Sequence, residues 1–399
     1  MSTSPFAADP SIRRLLAEDY CLSFEGNHLV VEHVPYVTPS GDLAYGRLAL
    51  PVTFSGDAVQ DGTGNHTIWF VGEQPCDEQG KPLPGPAASP HAITPELTAN
   101  FMISSKPKDG GVFLNTYDKV TSYVRVLSHP ARALDPTVTA TPGADWIEIP
   151  DDLPFVYRDT GTARAGLADL NAVFRGHRVG IIGLGGTGSY ILDQVAKTWV
   201  DAIELFDGDV FDNHNAFRAP GAADLDDLRL RPNKAEYFAR QYSRMHTGIT
   251  AHPVFITAEN VDQLATCTFV FMAAADAREK PEILTWLRDR SIPAIEVGMG
   301  IQDEGGRLSG LLAVVNHFPD AGQTPTAVAG GRADEYDRNI QVADLNCLNA
   351  MLAVGSWKRY LGYYASSDQV GETIYKVFTG DIRNRERETV EDLGEEAAA

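Results

Sequence analysis

The sequence predicts an α/β protein in which a smaller α+β domain precedes a domain built on a mixed, mostly parallel sheet. From residue 178 onward, short apolar runs alternate with helical segments, which is typical of a largely parallel sheet covered by helices. The preceding part of the chain instead mixes short apolar runs with turn-rich stretches. With 399 residues, of which 43% are hydrophobic, the chain is long enough for two domains with separate cores.

The boundary between the two predicted domains falls near residue 155, because the stretch TATPGADWIEIPDDLP is typical of a connector. The sequence therefore predicts an N-terminal α+β domain over residues 1–155 and a second domain over residues 156–382. Residues 383–399 are rich in charged residues and alanine. We expect a frayed, flexible tail there.

Strands and helices alternate along the second domain. Its first four predicted strands lie in RVGIIG, AIELFD, TFVFMA and PAIEVG, and they are separated by helices in GTGSYILDQVAKTWV, NKAEYFARQYSRM and REKPEILTWLRDR. A strand in LSGLLAVV, a long buried helix in IQVADLNCLNAMLAVGSWKRYL and a strand in ETIYKVF follow. In the N-terminal domain, HLVVEHV, GRLALPVTF and HTIWFVG predict strands, and LNTYDKVTSYVRVLSHPARAL predicts a helix.

Charge and cysteine content exclude several classes of function. The formal net charge of -21 repels a phosphate backbone, so we expect no nucleic-acid partner. A triphosphate site would need locally placed cations and backbone N–H groups. The four cysteines form no CxxC pair, which disfavours a zinc cage or a disulfide framework. No signal peptide and no membrane-length apolar run is evident, so we expect a cytoplasmic protein without a membrane partner.

The strongest local signal is a glycine-rich turn between the first strand and the first helix of the second domain. Its sequence is RVGIIGLGGTGSY, with Gly183, Gly185, Gly186 and Gly188. Glycines let the backbone approach a phosphate closely, and the helix N-terminus adds favourable potential. The same spacing occurs in dehydrogenases that bind NAD, so the turn alone does not distinguish the two ligands.

Polar residues after the second strand favour a triphosphate. Asp207 ends that strand, where an acidic residue holds ribose hydroxyls in any Rossmann-like site. Asn215 and Arg218 follow, and Lys234 lies at a predicted helix start. A nicotinamide pyrophosphate needs no such cations, whereas cleavage between the α and β phosphates does, because charge grows on the departing pyrophosphate.

A second carboxylate follows the third strand. TFVFMAAAD places Asp276 at the carboxyl end of this strand, where ligands of open α/β sheets bind. A carboxylate there is a natural Mg²⁺ ligand. An isolated aspartate after a strand is more often a helix cap, but its place in this series favours the metal.

The second domain resembles the adenylation domain shared by ThiF, MoeB and the ubiquitin-activating enzymes. The resemblance lies in four features that occur in this order: GLGGTG, the D-x-D-x(5)-N-x-x-R pattern, the lysine and the second aspartate. The likeness implies a Rossmann-like ThiF-type domain that uses ATP and Mg²⁺ and forms a homodimer. It assigns nucleotide binding to Gly183, Gly185, Gly186, Gly188, Asp207, Asp209, Asn215, Arg218 and Lys234. It assigns catalysis to Asn215, Arg218, Lys234, Asp276 and Arg164, with Asp276 as the Mg²⁺ ligand.

The resemblance also implies the reaction. The C-terminal carboxylate of a ubiquitin-like or sulfur-carrier protein attacks the α-phosphate, which gives an acyl-adenylate and pyrophosphate. The carboxylate is already ionised, so catalysis would depend on alignment and charge stabilisation. Some relatives use an upstream arginine that reaches into the partner subunit. Arg164 and Arg158 are suitably placed for this, although a solvated linker arginine is an equal alternative for Arg164.

The sequence departs from the family pattern in two ways. The usual arginine a few residues beyond the second aspartate is replaced by Arg278 and Lys280, so a phosphate contact is either missing or supplied by Lys280. The segment that would cross over the adenylate contains no cysteine. Three fates of the acyl group stay open: direct handover, transfer to a cysteine, or transfer to a hydroxyl. The candidate acceptors are Cys76, whose turn-like setting suggests exposure, Cys347, Cys267, Thr324 and Thr326.

Residues 1 to about 150 resemble, less sharply, the uncharacterised domain that precedes ThiF-like domains in some bacterial operons for ubiquitin-like conjugation. The resemblance lies in the phrases HTIWFVGEQPCDEQG and FMISSKPKDGG. This implies a domain that recruits the substrate or an E2-like partner, and a role in antiphage defence. The alternatives are adenylation of a small molecule or peptide, an NAD-dependent oxidoreductase, and a scaffold that keeps a relic nucleotide fold.

Overall fold

The chain divides into two structural units in the computed structural model. Unit 1 comprises Met1–Asp152 and Tyr157–Leu167, and unit 2 comprises Leu153–Val156 and Ala168–Ala399. The structure describes residues 9–56, 58–60, 65–106, 112–143, 146–147, 153–157, 159–165, 167–274, 279–319, 340–366 and 370–386.

Unit 1 is an α+β unit built on an antiparallel sheet. Its helices are α1 (Pro10–Ala17), α2 (Thr116–Leu134) and α3 (Thr160–Ala165). Its strands are β1 (Leu22–Glu25), β2 (His28–Val37), β3 (Leu43–Pro51), β4 (Thr53–Ser55), β5 (Ala58–Gln60), β6 (Thr67–Val71), β7 (Pro86–Ala92), β8 (Thr98–Ser104) and β9 (Trp146–Ile147). The main sheet has the order β7-β8-β6-β3-β2-β1-β9, and only the β1–β9 pair is parallel.

Helix α2 covers one face of this sheet because its apolar residues recur at helical spacing. Val120, Val124 and Leu127 lie on one side of the helix and are buried in a core shared with Phe70 and other strand residues. Asn115 caps the N-terminus of α2, because its side chain accepts a hydrogen bond from the Asp118 N–H at 2.8 Å. The predicted separate N-terminal α+β fold is confirmed.

Unit 2 is a mixed α/β unit. Its helices are α4 (Ala168–Asn171), α5 (Gly186–Val195), α6 (Asn213–Ala216), α7 (Leu225–Leu230), α8 (Lys234–Tyr242), α9 (Lys280–Asp289) and α10 (Ala343–Tyr360), with 3₁₀ turns at Ala172–Phe174 and Val261–Leu264. Its strands are β10 (Arg178–Ile182), β11 (Ala202–Phe206), β12 (Ile249–His252), β13 (Phe269–Met272), β14 (Ala294–Asp303), β15 (Leu308–His317), β16 (Val370–Lys376) and β17 (Ile382–Glu386).

The sheet of unit 2 has the order β12-β11-β10-β13-β14-β15-β16-β17. The pairs from β12 to β14 are parallel, and those from β14 to β17 are antiparallel. The predicted mixed sheet is thereby confirmed. Its central strand β10 is almost wholly apolar, because Val179 and Ile181 pack into the core on one face and Ile182 into the core on the other.

Strand β10 lies at the point where the strand order reverses, since β11 pairs with one edge and β13 with the other. Ligands of open α/β sheets bind beyond the carboxyl ends of the strands at such a point. The residues that follow β10 and β11 are therefore the first candidates for a functional site.

The end of the described chain differs from the expected tail. Residues 383–386 belong to strand β17, which pairs with β16, although all five β17 residues are exposed. The sequence suggested a tail there because RNRE is too polar to predict a strand. Within the residues that the structure describes, no helix has both the length and the apolar character needed to cross a bilayer.

Candidate functional site

The turn after β10 needs glycine at two positions for reasons internal to the protein. Gly183 has φ +84°, and a Cβ there would lie 2.7 Å from the backbone nitrogen of Ala274. A Cβ at Gly188 would overlap the carbonyl oxygen of Gly183. These contacts bring the N-terminus of α5 close to the ends of β10 and β13.

Gly185 is the residue just before α5, and it differs from its neighbours. Apart from Gly185 itself and its neighbours in the chain, no described residue has an atom within 4 Å of the position that a Cβ would take at Gly185. Protein packing therefore does not explain this glycine. Open space at a helix N-terminus is where a phosphate can approach backbone N–H groups closely.

Asp207 lies immediately after β11, and its side chain is hydrogen-bonded to the backbone of the glycine-rich turn. Its Oδ2 accepts a hydrogen bond from the Leu184 N–H at 2.6 Å, and its Oδ1 accepts one from the Asp209 N–H at 2.8 Å. Burial raises the pKa of the Asp207 carboxyl above its ordinary value, although the charge of Lys234 and the two N–H groups oppose this shift. A buried carboxyl group that accepts two backbone hydrogen bonds therefore lies beside the glycine-rich turn.

Lys234 is the first residue of α8 and reaches back to the same place. Its Nζ lies 2.7 Å from Asp209 Oδ2 and 4.0 Å from Asp207 Oδ1. The side chain of Lys234 is only 7% exposed, whereas that of Asp209 is 56% exposed. The lysine is therefore buried along its stem while the carboxylate that it contacts most closely is open to solvent.

Asn233 fixes the start of α8 against the end of β11. Its Oδ1 accepts from the Ala235 N–H at 2.8 Å, and its Nδ2 donates to the carbonyl oxygens of Asp207 and Asp209 at 2.9 and 3.0 Å. The sequence analysis missed this residue. An Asn directly before a helical run is a capping signal that could have identified it.

Asn215 lies in the short helix α6 and is 2% exposed. Its Oδ1 accepts a hydrogen bond from the Asp212 N–H at 2.9 Å. Its Nδ2 is buried and has no hydrogen-bond partner among the described residues. An unpartnered buried donor costs about 1–3 kcal/mol, so this amide is poised for an acceptor that a ligand would bring.

Arg218 follows α6 and is partly buried, and its backbone N–H donates to the Asn215 carbonyl oxygen at 3.1 Å. Phe217, between these two residues, is 86% exposed. Arg218 makes further interactions as well. The structure thus places both sequence-predicted residues on one short segment.

Several candidate residues lie outside the described part of the chain. These are Asp276, Arg158, Arg278, Thr324 and Thr326. Arg164 belongs to helix α3 of unit 1. No cluster of three or more His, Cys, Asp or Glu side chains suited to a metal ion occurs among the described residues.

Lys280 does not join this group of residues. Its Nζ lies 3.0 Å from Oε1 of Glu296, which is fully buried in β14, and His317 Nε2 lies 3.4 Å from the other carboxylate oxygen. The ion pair anchors α9 to the sheet. This arrangement argues against Lys280 as a replacement for the missing phosphate contact.

The three candidate cysteines lie in settings that suppress a thiolate. Cys76 is fully buried rather than exposed, and burial together with Asp77 raises its pKa. Burial raises the pKa of Cys267 to about 12. Burial, with Asp193 and Asp344, also raises the pKa of Cys347. Since the thiolate is the nucleophile, none of the three is prepared to accept an acyl group in this structure.

Two family models match the chain. Residues 10–160 match a domain of unknown function, DUF6791, and residues 158–343 match the ThiF family. A curated relative, the tRNA threonylcarbamoyladenosine dehydratase of Escherichia coli (strain K12), is 28% identical over 142 residues, which make up 35% of this chain and 52% of the relative. The chain thus matches about half the length of this curated relative.

The chain is also similar to solved structures. One is E. coli MccB with MccA-N7isoASN, at 15% identity and a TM-score of 0.45, covering 55% of this chain and 66% of MccB. Another is PaaA, at 16% identity and a TM-score of 0.44, covering 55% of this chain and 76% of PaaA.

Proposed function

Because residues 158–343 form a ThiF family domain, we propose that this chain uses ATP to adenylate the C-terminal carboxylate of a ubiquitin-like or sulfur-carrier protein. The predicted resemblance to this family is confirmed. The specific reaction and its substrate are our proposal.

The observation that carries the proposal is the buried Nδ2 of Asn215, which has no hydrogen-bond partner among the described residues and lies, like Lys234, on the segment between β11 and β12. Lys234 is paired with an exposed carboxylate, Asp209, so a phosphate can compete for its ammonium group. An amide donor and a movable cation beside an open glycine-rich turn suit the charge that develops on a departing pyrophosphate.

In the proposed reaction, one carboxylate oxygen of the protein substrate attacks the α-phosphorus of ATP. A new bond forms between that oxygen and phosphorus, and the bond between the α-phosphorus and its bridging oxygen breaks. Pyrophosphate carries away the electron pair. The adenylate is a better acyl donor than the carboxylate because AMP is a far better leaving group than oxide.

We assign each candidate residue one task. Gly185 and the N-terminus of α5 bind phosphate through backbone N–H groups, and Asp207 receives ribose hydroxyls. Asn215, Arg218 and Lys234 contact the phosphates. The remaining assigned residues are Gly183, Gly186, Gly188 and Asp209 at the nucleotide, Asp276 at Mg²⁺, and Arg164 reaching from a partner subunit of a homodimer.

The fate of the acyl group in this proposal is direct handover to a partner. The raised pKa values and burial of Cys76 and Cys267 disfavour a thioester on this chain. Unit 1 would recruit the substrate or an E2-like protein. A bacterial conjugation pathway in the cytoplasm, serving antiphage defence, is the setting that the sequence resemblance suggests.

Two other functions have weaker support. The curated relative acts on threonylcarbamoyladenosine in tRNA, but a net charge of -21 opposes tRNA binding. In an NAD-dependent oxidoreductase, Lys234 and the Asn215 amide would have no triphosphate to contact. Adenylation of a small molecule or peptide would use the same phosphate contacts. It would differ from the proposed reaction only in the molecule that carries the attacking carboxylate.

The decisive experiment is ATP–pyrophosphate exchange with the purified chain, Mg²⁺ and candidate ubiquitin-like or sulfur-carrier proteins. We expect exchange that requires the intact C-terminus of the partner and disappears in Asp276→Ala. The same partner with its last two residues removed is the matched control. Tight NAD binding without ATP binding would overturn the proposal, and exchange driven by a short peptide or a free acid would change its substrate.

A further inference from the structure

The first turn of α10 places a buried amide directly on the glycine-rich turn. Asn346 is 1% exposed. Its Oδ1 accepts a hydrogen bond from the Thr187 hydroxyl at 3.0 Å, and its Nδ2 donates to the Val342 carbonyl oxygen at 3.1 Å. The amide therefore joins the start of α5 to the start of α10.

The same amide explains why residue 186 is glycine. A Cβ at Gly186 would lie 2.5 Å from Asn346 Oδ1, with the amide carbon and nitrogen at least as close. The amide thus packs flat against the Gly186 backbone. A large polar side chain is rarely buried in a helix without reason, because its donor and acceptor must both be satisfied.

Thr187 is held by this contact. Its hydroxyl is the donor to Asn346 and is therefore engaged on the side of α10. Gly186 and Thr187 are the first two residues of α5, so their backbone N–H groups belong to the four that a helix leaves without intrahelical partners. The direction of these N–H groups depends on how the first turn is anchored.

We propose that Asn346 is a positioning residue for nucleotide binding: it clamps Gly186 and Thr187 so that the N-terminus of α5 presents its N–H groups to the phosphates of ATP. This inference rests on the proposed use of ATP. It adds a residue from a distant segment, 160 positions after Gly186, to the machinery of the site.

The test measures ATP affinity by calorimetry for the full chain and four variants. Gly186→Ala pushes a Cβ into the amide and is expected to weaken ATP binding by about 10-fold or more, since misplacement of binding groups is costly. Asn346→Ala removes the clamp and is expected to weaken it by about 3- to 10-fold. In the double variant the Cβ has room, so affinity should return to that of Asn346→Ala instead of falling to the product of the two losses.

Asn349→Ala is the matched control. Asn349 is equally buried on the same helix, and its Nδ2 donates to the Gly298 carbonyl oxygen at 3.1 Å, away from α5. Both asparagine variants should lose stability in thermal unfolding, Asn349→Ala less, because Asn346 makes two side-chain hydrogen bonds and the Oδ1 of Asn349 has no partner among the described residues. Only Asn346→Ala should change the Kd for ATP.

The outcomes separate the inference from the proposed function. If the unaltered chain does not bind ATP, the proposed function fails and this inference fails with it. If the unaltered chain binds ATP, but Asn346→Ala and Asn349→Ala change the Kd equally or not at all, the positioning role alone is wrong. If Gly186→Ala does not fold, the Kd values of Asn346→Ala and Asn349→Ala still decide whether Asn346 has a positioning role.

Discussion

Two lysine–carboxylate pairs in unit 2 have similar sequence settings and opposite environments. Lys234 begins α8 and lies 2.7 Å from Asp209. Lys280 begins α9 and lies 3.0 Å from Glu296. Both lysines are buried along their stems, but the Asp209 carboxylate is largely exposed and the Glu296 carboxylate is completely enclosed.

The difference decides what each lysine can do. Water can solvate the exposed Asp209 carboxylate once its contact with Lys234 breaks, so Lys234 can exchange Asp209 for a phosphate more cheaply than a lysine in an enclosed pair could. Breaking an enclosed pair leaves an uncompensated buried charge, which costs about 3–5 kcal/mol. Lys280 is therefore committed to structure, and the exposure of the partner carboxylate is what separates the two lysines.

The largest expected effect is that of Lys234→Ala. Loss of one cation that stabilises the departing pyrophosphate should lower the rate of ATP–pyrophosphate exchange by about 10²- to 10³-fold. The stability of the variant should fall modestly, because the buried Asp207 loses the nearby Lys234 charge, whereas the exposed Asp209 is solvated. Exchange rates and thermal unfolding measured on the same preparation test both statements. An unaltered exchange rate would show that Lys234 does not take part in the reaction.

Much of this arrangement could be predicted because it is local. The strand, glycine-rich turn and helix from Arg178 to Val195 follow from an apolar run, four glycines and a helical pattern within a short stretch. Asp207 follows β11 and Lys234 begins α8, the helix that leads to the neighbouring parallel strand β12, so both lie beyond the carboxyl end of β11. The fold class and the resemblance of residues 158–343 to the ThiF family are confirmed, while the functional roles of these residues remain predictions.

The interactions that could not be predicted join segments that are far apart in the chain. Nothing near Lys280 indicates that Glu296, on the next strand, will enclose its charge. Cys76 lies in a turn-like sequence but is buried, because it packs in an apolar cluster with Val37, Ala131 and Val138. Asn346 approaches Gly186 only through the packing of α10 on α5. Such pairings depend on tertiary packing, which local pattern does not encode.

Asn215→Ala is expected to have an intermediate effect. The variant loses the Nδ2 donor, and one hydrogen bond to a charged group contributes about 1.5–3 kcal/mol, so ATP affinity should fall by about 10- to 100-fold. It also loses the acceptor for the Asp212 N–H, at a cost of about 0.5–2 kcal/mol of stability. Calorimetric titration with ATP and urea unfolding measure the two losses separately.

Asp212→Ala is the matched control for this variant. It removes the residue that precedes α6 and its ion pair with Arg231, at 2.8 Å, but leaves the Asn215 amide in place. We expect a similar loss of stability with an unchanged ATP affinity. Equal losses of affinity in both variants would show that α6 matters only as a whole, and that the Nδ2 of Asn215 has no task of its own.

The smallest expected effect on catalysis, and the largest on stability, is that of Lys280→Ala. Removing the lysine leaves Glu296 charged and enclosed, so the free energy of unfolding should fall by about 3–5 kcal/mol. The double variant Lys280→Met with Glu296→Gln removes both charges and keeps an acceptor for His317, and most of the lost stability should return. Exchange per folded molecule should match the unaltered chain in both variants. If Lys280→Ala instead abolished exchange at an unchanged melting temperature, the enclosed pair would be part of the site and partner exposure would no longer distinguish the two lysines.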